Sequence, residues 1–148
     1  MYTNHDWPRF VLVLTFAVLK LSHAQRNFGD KQITSAVSLF SGLRHTEFIP
    51  GEATDPEKIP KQPIRTHAFM STSMNREVAD EFRGDTGMTM QIELKGRKLD
   101  DPLLRRACNV SWISKFPGEM EVLVCPNTRL IIQKVITVSH GMQHVVCA

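Results

Sequence analysis

The sequence has few of the residues that build metal centres or disulfide frameworks. Its 148 residues include 3 cysteines and 6 histidines. Cys108, Cys125 and Cys147 form no Cys-x-x-Cys pair, and the histidines show no ligand spacing, so no pattern here favours a zinc site. We predict no metal and no permanently bound cofactor. If the chain is secreted, three cysteines allow one disulfide and leave one thiol unpaired.

Long hydrophobic runs are also missing, since a membrane span needs about 20 apolar residues and Lys20 interrupts the longest run. That run, Phe10–Leu19, follows Arg9 and precedes Ser22-His23-Ala24, which is the layout of a secretory signal peptide. We therefore expect residues 1–24 to be a signal peptide and the protein to be secreted. A helix of the N-terminal core is the alternative. The chain ends without the apolar tail of a lipid-anchor signal, so we expect no membrane anchor.

Strong charge and internal repeats are likewise absent. The formal net charge of +3 is too small to indicate a nucleic-acid partner. A chain of this length fits one domain, which we place at residues 25–148.

Short strand-like segments outnumber helical ones and predict an α+β fold. Alternating apolar and polar residues predict a half-buried strand over 88–94, and a helix is predicted over 75–83, with Ser73 as a candidate cap. Strands over 121–125 and 129–138 are predicted to form a hairpin through Pro126-Asn127-Thr128. The remaining predictions are a helix over 30–38, strands over 37–43 and 66–71, an edge strand over 144–147, and a surface loop over 48–63.

Two polar motifs lie beside these predicted strands. Glu119 and Glu121 open an apolar stretch after Pro117-Gly118, and strand alternation would direct both carboxylates to one face. Ser71-Thr72-Ser73 follows Ala68-Phe69-Met70 and precedes the predicted helix. Each motif alone is more often a solvated face or a helix cap.

Taken together and in this order, the motifs resemble the arginine-modifying, toxin-like mono-ADP-ribosyltransferases. The resemblance runs from about Leu39 to Val138 and includes Phe69–Ser73 and the segment from Phe116 to Val135. It implies two roughly perpendicular, mainly antiparallel sheets with few flanking helices, which form a cleft for NAD as co-substrate. The family normally precedes its first strand with several helices, so this domain is expected to be shortened at its N-terminus.

The resemblance also implies roles for individual residues. Glu121 would stabilise the oxocarbenium-like transition state in which the nicotinamide–ribose bond breaks. Glu119 would activate the acceptor arginine, and Ser71 would brace Glu121. Phe116 would contact the incoming protein, although its ordinary interpretation is a core aromatic. The residues implied to bind NAD are Ser71, Thr72, Ser73 and Gly42. Arg44 would join them only if the chain bends back at Gly42, whereas a strand that continues straight turns it to the side opposite Ser41.

One position departs from the family pattern. The family carries an arginine on its first core strand, where it contacts the NAD phosphates, and this sequence has Ser41 within Leu39-Phe40-Ser41-Gly42-Leu43. Serine supplies neither the charge nor the bidentate geometry of arginine. The leading interpretation is a secreted, monomeric enzyme that transfers ADP-ribose from NAD to a protein arginine. The alternatives are a silent relative that serves as a binding module and an NAD glycohydrolase.

Overall fold

The computed structural model describes residues 6–28, 33, 36, 38–46, 63–98, 100–137 and 142–148. Its α-helices are α1 (Asp6–Phe28) and α2 (Arg76–Arg83), and single 3₁₀ turns occur at Leu104–Arg106 and Pro117–Glu119. Its strands are β1 (Ser38–Arg44), β2 (Pro63–Arg65), β3 (Met70–Ser73), β4 (Gly87–Glu93), β5 (Ala107–Asn109), β6 (Glu121–Val124), β7 (Arg129–Thr137) and β8 (Gln143–Cys147). The α+β prediction is confirmed.

The strands lie in the order β2-β7-β8-β4-β1-β3-β6-β5. All the described pairings are antiparallel except β4 with β8. β1 and β3 pair only at Phe40 and Ser73, whereas β1 and β4 pair along seven positions. The sheet therefore consists of two blocks of strands, β2-β7-β8-β4-β1 and β3-β6-β5, that are joined at this single pair, and the candidate site lies where they meet.

The predicted hairpin between β6 and β7 is wrong. The turn at 126–128 exists, with Asn127 at φ 59°, but β6 pairs with β3 and β5 while β7 pairs with β2 and β8. The turn residues form their hydrogen bonds with Thr66 and not across a β6–β7 hairpin. The Thr66 N–H donates to the Thr128 carbonyl, its carbonyl accepts from the Asn127 N–H, and its hydroxyl donates to the Cys125 carbonyl.

Two other strand predictions need correction. β8 was predicted at the edge of a sheet, but it lies between β7 and β4 and is parallel to β4. The strand predicted over 66–71 begins later, because the bonds of Thr66 to the turn divert the chain before β3 starts at Met70. The helix predicted over 30–38 and the loop over 48–63 fall mostly outside the described residues.

Helix α1 packs against the β5 side of the fold. Val18 is buried, the Ser22 hydroxyl donates to the Leu104 carbonyl (2.8 Å), and the Gln25 amide exchanges two hydrogen bonds with the Asn109 backbone. The opposite face of α1 exposes large apolar side chains, among them Trp7 and Phe10. No described helix has the combination of length and hydropathy that a membrane span requires. The signal peptide stays a prediction.

The core beneath the sheet is built from alternate residues of the strands, including Leu39, Ile92, Val122 and Val145.

All three cysteines are buried and free, so the structure does not contain the predicted disulfide. Burial, the neighbouring Cys125 and the Glu121 carboxylate together raise the pKa of the Cys108 thiol to about 11. Such a thiol is protonated at neutral pH and is not a nucleophile there.

Candidate active site

Glu119 and Glu121 line one cavity, but strand alternation does not place them there. Glu119 ends the 3₁₀ turn Pro117–Glu119, and Glu121 is the first residue of β6. Met120 between them has a left-handed backbone, with φ 47°. Its carbonyl accepts a hydrogen bond from the N–H of Met74, 3.2 Å away, which ties the turn to the end of β3. A tight turn, and not a continuous strand, therefore brings the two carboxylates together.

Ser71 fixes the carboxylate of Glu121. The Ser71 hydroxyl donates to Oε1 of Glu121 over 2.7 Å. The two residues lie on adjacent antiparallel strands, since Ser73 is the register partner of Glu121 and Ser71 lies two residues before Ser73. A hydrogen bond to a charged acceptor is among the stronger ones in proteins, so it holds the carboxylate in one orientation.

Thr72 and Ser73 brace the backbone around the acids. The buried Thr72 hydroxyl donates to the Val122 carbonyl, and the Ser73 hydroxyl donates to the Glu119 carbonyl, each over 2.6 Å. The prediction that Ser73 caps α2 is wrong. The N-cap is Asn75, whose side chain accepts from the Glu77 N–H, because the helix begins one residue after Asn75 and Ser73 still belongs to β3.

Ser41 and Gly42 occupy the junction between β1 and β3. The Ser41 side chain is 4% exposed, and its hydroxyl donates to the Ser71 carbonyl over 2.9 Å. Gly42 lies against α2 so closely that a Cβ added there would stand 1.9 Å from the Ala79 carbonyl oxygen. The Ser41 hydroxyl therefore links β1 to β3, and Gly42 allows β1 to pack directly against α2.

Arg44 lies away from this junction. Its Nε is 3.5 Å from the position that a Cβ would take on Gly84, at the C-terminal end of α2. Gly42 and Arg44 are two residues apart on β1, so they face the same side, where α2 packs. Among the described lining residues of the two cavities at this junction, Arg44 does not occur.

Two cavities share the lining residues Ser41, Gly42 and Ser71. The smaller, about 120 Å³, holds both carboxylates and is called the glutamate cavity below. The larger, about 400 Å³, lies along the segment that leads into β3 and is called the entry cavity. The structure thus gathers six of the eight predicted site residues around the glutamate cavity: Gly42, Ser71, Thr72, Ser73, Glu119 and Glu121.

Sequence reasoning missed two aromatic side chains of the glutamate cavity, Phe40 and Phe82. Phe82 lies in the last turn of α2 and is 56% exposed. Its spacing in α2 gave no sign that this turn of the helix borders a site. Flat apolar walls of this kind suit an aromatic ring.

Phe116 lies outside both cavities, on the loop that precedes the acids. The side chain is exposed, which excludes the core interpretation, and the ammonium of Lys115 lies 5.6 Å from its ring centre. Trp112 and Ile113 on the same loop are exposed as well. The loop therefore presents an apolar surface next to the carboxylates.

The arrangement suits a reaction in which positive charge develops on a substrate. A fixed carboxylate stabilises such charge more in the transition state than in the ground state. A second carboxylate in the same cavity can accept a proton from an attacking group.

Comparisons with known proteins identify the family and the fold. The sequence profile of the ADP-ribosyltransferase exoenzyme family matches residues 23–148. None of the curated proteins matches the sequence. Among solved structures, the ADP-ribosyltransferase HopU1 of Pseudomonas syringae is 22% identical, with a TM-score of 0.51 over 74% of this chain and 43% of its own. Exoenzyme S of Pseudomonas aeruginosa, bound to Carba-NAD and human 14-3-3 protein beta, is 16% identical, with a TM-score of 0.52 over 86% of this chain and 64% of its own.

A third similar structure is the Vis toxin of Vibrio splendidus, 17% identical with a TM-score of 0.51, which covers 74% of this chain and 46% of its own. The present chain thus spans less than two thirds of the length of these relatives. At such identities the structures establish the fold, while the profile match covers most of the sequence. The chain belongs to the ADP-ribosyltransferase exoenzyme family.

Proposed function

We propose that this protein is a mono-ADP-ribosyltransferase that moves ADP-ribose from NAD to an arginine of a protein substrate. The observation that carries the proposal is the 2.7 Å hydrogen bond from Ser71 to Glu121, in a cavity that Glu119 also lines. Cleavage of the nicotinamide–ribose bond makes the ribose oxocarbenium-like, and Glu121, whose carboxylate Ser71 holds in one orientation, would stabilise that charge.

Arginine as acceptor is supported by the second carboxylate. A guanidinium stays protonated in water, so it must be paired and deprotonated before it attacks. Glu119 is half-buried in the turn before β6 and reaches the same cavity as Glu121. The exposed apolar surface at Trp112, Ile113 and Phe116 would contact the protein that carries the arginine.

NAD as co-substrate is supported by family membership and by the relative solved with Carba-NAD. That relative was also solved in complex with a protein, which is consistent with a protein partner here. The two cavities share three lining residues, and the larger, of about 400 Å³, is in the size range of small-molecule sites.

The direct test is transfer of label from NAD to an arginine-rich acceptor. The wild-type chain should transfer label, and Glu121→Gln should reduce both transfer and NAD hydrolysis by about 10²–10³-fold, the cost of losing one preorganised electrostatic group. Glu81→Gln is the matched control, because Glu81 is exposed on α2 and lines neither cavity. Full activity in Glu121→Gln would contradict the assignment.

Two other outcomes separate the alternative functions. Hydrolysis of NAD without transfer to any arginine acceptor would indicate a glycohydrolase. Absence of both reactions, with the fold intact, would indicate a silent relative that serves as a binding module.

Secretion is part of the same proposal. It is supported by the Phe10–Leu19 run and by Ser22-His23-Ala24, which together predict cleavage after Ala24. N-terminal sequencing of protein exported from a eukaryotic host should give Gln25 as the first residue. Protein that keeps Met1 would contradict it.

A further inference from the structure

The glutamate cavity has carboxylates but no cation among its described lining residues. Ser41 carries no charge, and its short side chain is committed to the Ser71 carbonyl. Arg44 lies at the end of α2, on the side of β1 that packs against the helix. Neither residue places a positive charge at the junction of the two cavities, yet NAD carries a pyrophosphate that needs one.

The entry cavity has the opposite charge pattern. Its described lining includes Arg65 and His67 and contains no aspartate or glutamate. It shares the lining residues Ser41, Gly42 and Ser71 with the glutamate cavity. Negative charge at one end and positive charge at the other match NAD, in which the ribose becomes cationic during cleavage and the pyrophosphate is anionic.

Arg65 is also held in place. It ends β2 and pairs with Arg129 of β7, and its Nη1 donates to Oδ1 of Asn127 over 3.1 Å. The next residue, Thr66, is bonded through both its backbone and its hydroxyl to the turn at 125–128. The guanidinium therefore extends from a fixed backbone, and one Nη atom is already oriented by Asn127.

We propose that Arg65 binds the NAD pyrophosphate from the entry cavity and so supplies the charge that Ser41 does not. This inference rests on the proposed function. A guanidinium carries five donors in a planar fork and binds phosphate oxygens in pairs, whereas the imidazole of His67 has two ring nitrogens. In this chain the phosphate-binding cation thus lies on β2 and not on β1.

The test is the affinity of the full chain for NAD and for ADP-ribose, measured by calorimetry at several salt concentrations. Arg65→Ala should weaken both ligands by roughly tenfold to a hundredfold, the effect of one lost charge-assisted contact. The affinity of Arg65→Ala should also depend less on salt concentration than that of the wild type. Arg65→Lys should recover part of the loss, because the charge returns without the fork.

Arg129→Ala is the matched control, since Arg129 is the exposed register partner of Arg65 but does not line the entry cavity. It should bind NAD within about twofold of the wild type, which is the scale of a screened surface charge. Equal losses in Arg65→Ala and Arg129→Ala would overturn the assignment in favour of a diffuse positive field. Thermal unfolding of each variant verifies the fold.

Failure of this inference differs from failure of the proposed function. If the wild type binds and cleaves NAD but Arg65→Ala binds it equally well, Arg65 is not the phosphate ligand and the transferase proposal stands. If the wild type binds no NAD, the proposed function fails, and the assignment of Arg65 fails with it.

Discussion

At the scale of single residues, the site consists of two carboxylates that have different surroundings. The Glu121 carboxylate accepts from the Ser71 hydroxyl, whereas the described hydrogen bonds of Glu119 are made by its backbone: its carbonyl accepts from the Ser73 hydroxyl and its N–H donates to the Phe116 carbonyl. The first carboxylate is oriented, and the second keeps the freedom to follow an acceptor. Unequal surroundings are how two chemically identical groups acquire different roles.

This division gives a prediction for Glu119→Gln. Transfer of ADP-ribose to arginine should fall by at least about a hundredfold, because the amide cannot take the guanidinium proton. Hydrolysis of NAD should continue at a measurable rate, because Glu121 and Ser71 are unchanged. The measurement is the ratio of labelled acceptor to free ADP-ribose, with Glu81→Gln as control. A parallel fall in both activities would show that the two acids act as one unit.

The sequence alone predicted both acids and the three residues 71–73 as site residues, because their types and order carry the family resemblance, and the structure gathers them around one cavity. It did not predict how the acids meet, since a methionine with positive φ, such as Met120, is uncommon and has no sequence signature. It also missed Arg65 as a lining residue of the site. Arg65 precedes Ser71 by six residues but is far from Glu121 in sequence, and the pairing of β3 with β6 brings the segment that carries it towards Glu121.

At the scale of elements, local patterns predicted helix α2 and strand β4 well. The helix predicted over 75–83 runs over Arg76–Arg83, and the strand predicted over 88–94 runs over Gly87–Glu93. Local patterns did not predict which strands pair with each other. A short polar turn such as 126–128 ordinarily joins paired strands, but here Thr66, distant in sequence, bonds to the turn and the strands separate.

The contact between β1 and α2 depends on Gly42. A Cβ at this position would stand 1.9 Å from the Ala79 carbonyl oxygen and 2.7 Å from the Arg83 nitrogen, both of which are helix backbone. Gly42→Ala should therefore displace α2 and lower the free energy of unfolding by roughly 1–3 kcal/mol, the usual cost of overpacking. Phe82 should move with the helix, so NAD binding should weaken too.

The control is Gly118→Ala, because a Cβ on Gly118 would meet no atom within 4 Å. Its free energy of unfolding should match that of the wild type within about 0.5 kcal/mol in urea denaturation, as at an uncrowded surface site. If Gly42→Ala were equally harmless, the close approach of β1 to α2 would not be a constraint on the fold.

At the scale of the whole molecule, the two blocks of strands are held together by a thin junction. Phe40 and Ser73 form the single register pair between β1 and β3, and the Ser41 hydroxyl adds one bond to Ser71. The α+β class followed from the sequence, since it depends on the number of short strands and not on their partners. The position of β8 did not follow from the sequence, because a short apolar strand has the same residue pattern at an edge and in the centre of a sheet.

The central position of β8 has a consequence for stability, because it places His144 beside a cluster of charges. His144 is the register partner of Thr89 on β4 and Ile136 on β7, and its Nε2 is buried without a hydrogen-bond partner. Asp80 accepts a hydrogen bond from the Thr89 hydroxyl and pairs with Arg76 and Arg83. The imidazole is thus half-buried among more cations than anions.

This environment lowers the pKa of His144 below its ordinary 6.5, chiefly through burial, then through Arg76, Arg83 and Lys134, with Asp80 acting in the opposite direction. As the pH falls below 6.5, the unfolded chain therefore takes up this proton before the folded chain does. The free energy of unfolding should decrease from pH 7.5 towards pH 5 and stop decreasing from this cause once the pH is below the folded-state pKa. Urea denaturation across this range measures the slope, and His144→Gln should flatten it. His67→Gln, which changes an exposed imidazole, should leave the slope as in the wild type. A slope unaltered in His144→Gln would show that other groups govern the acid sensitivity of the fold.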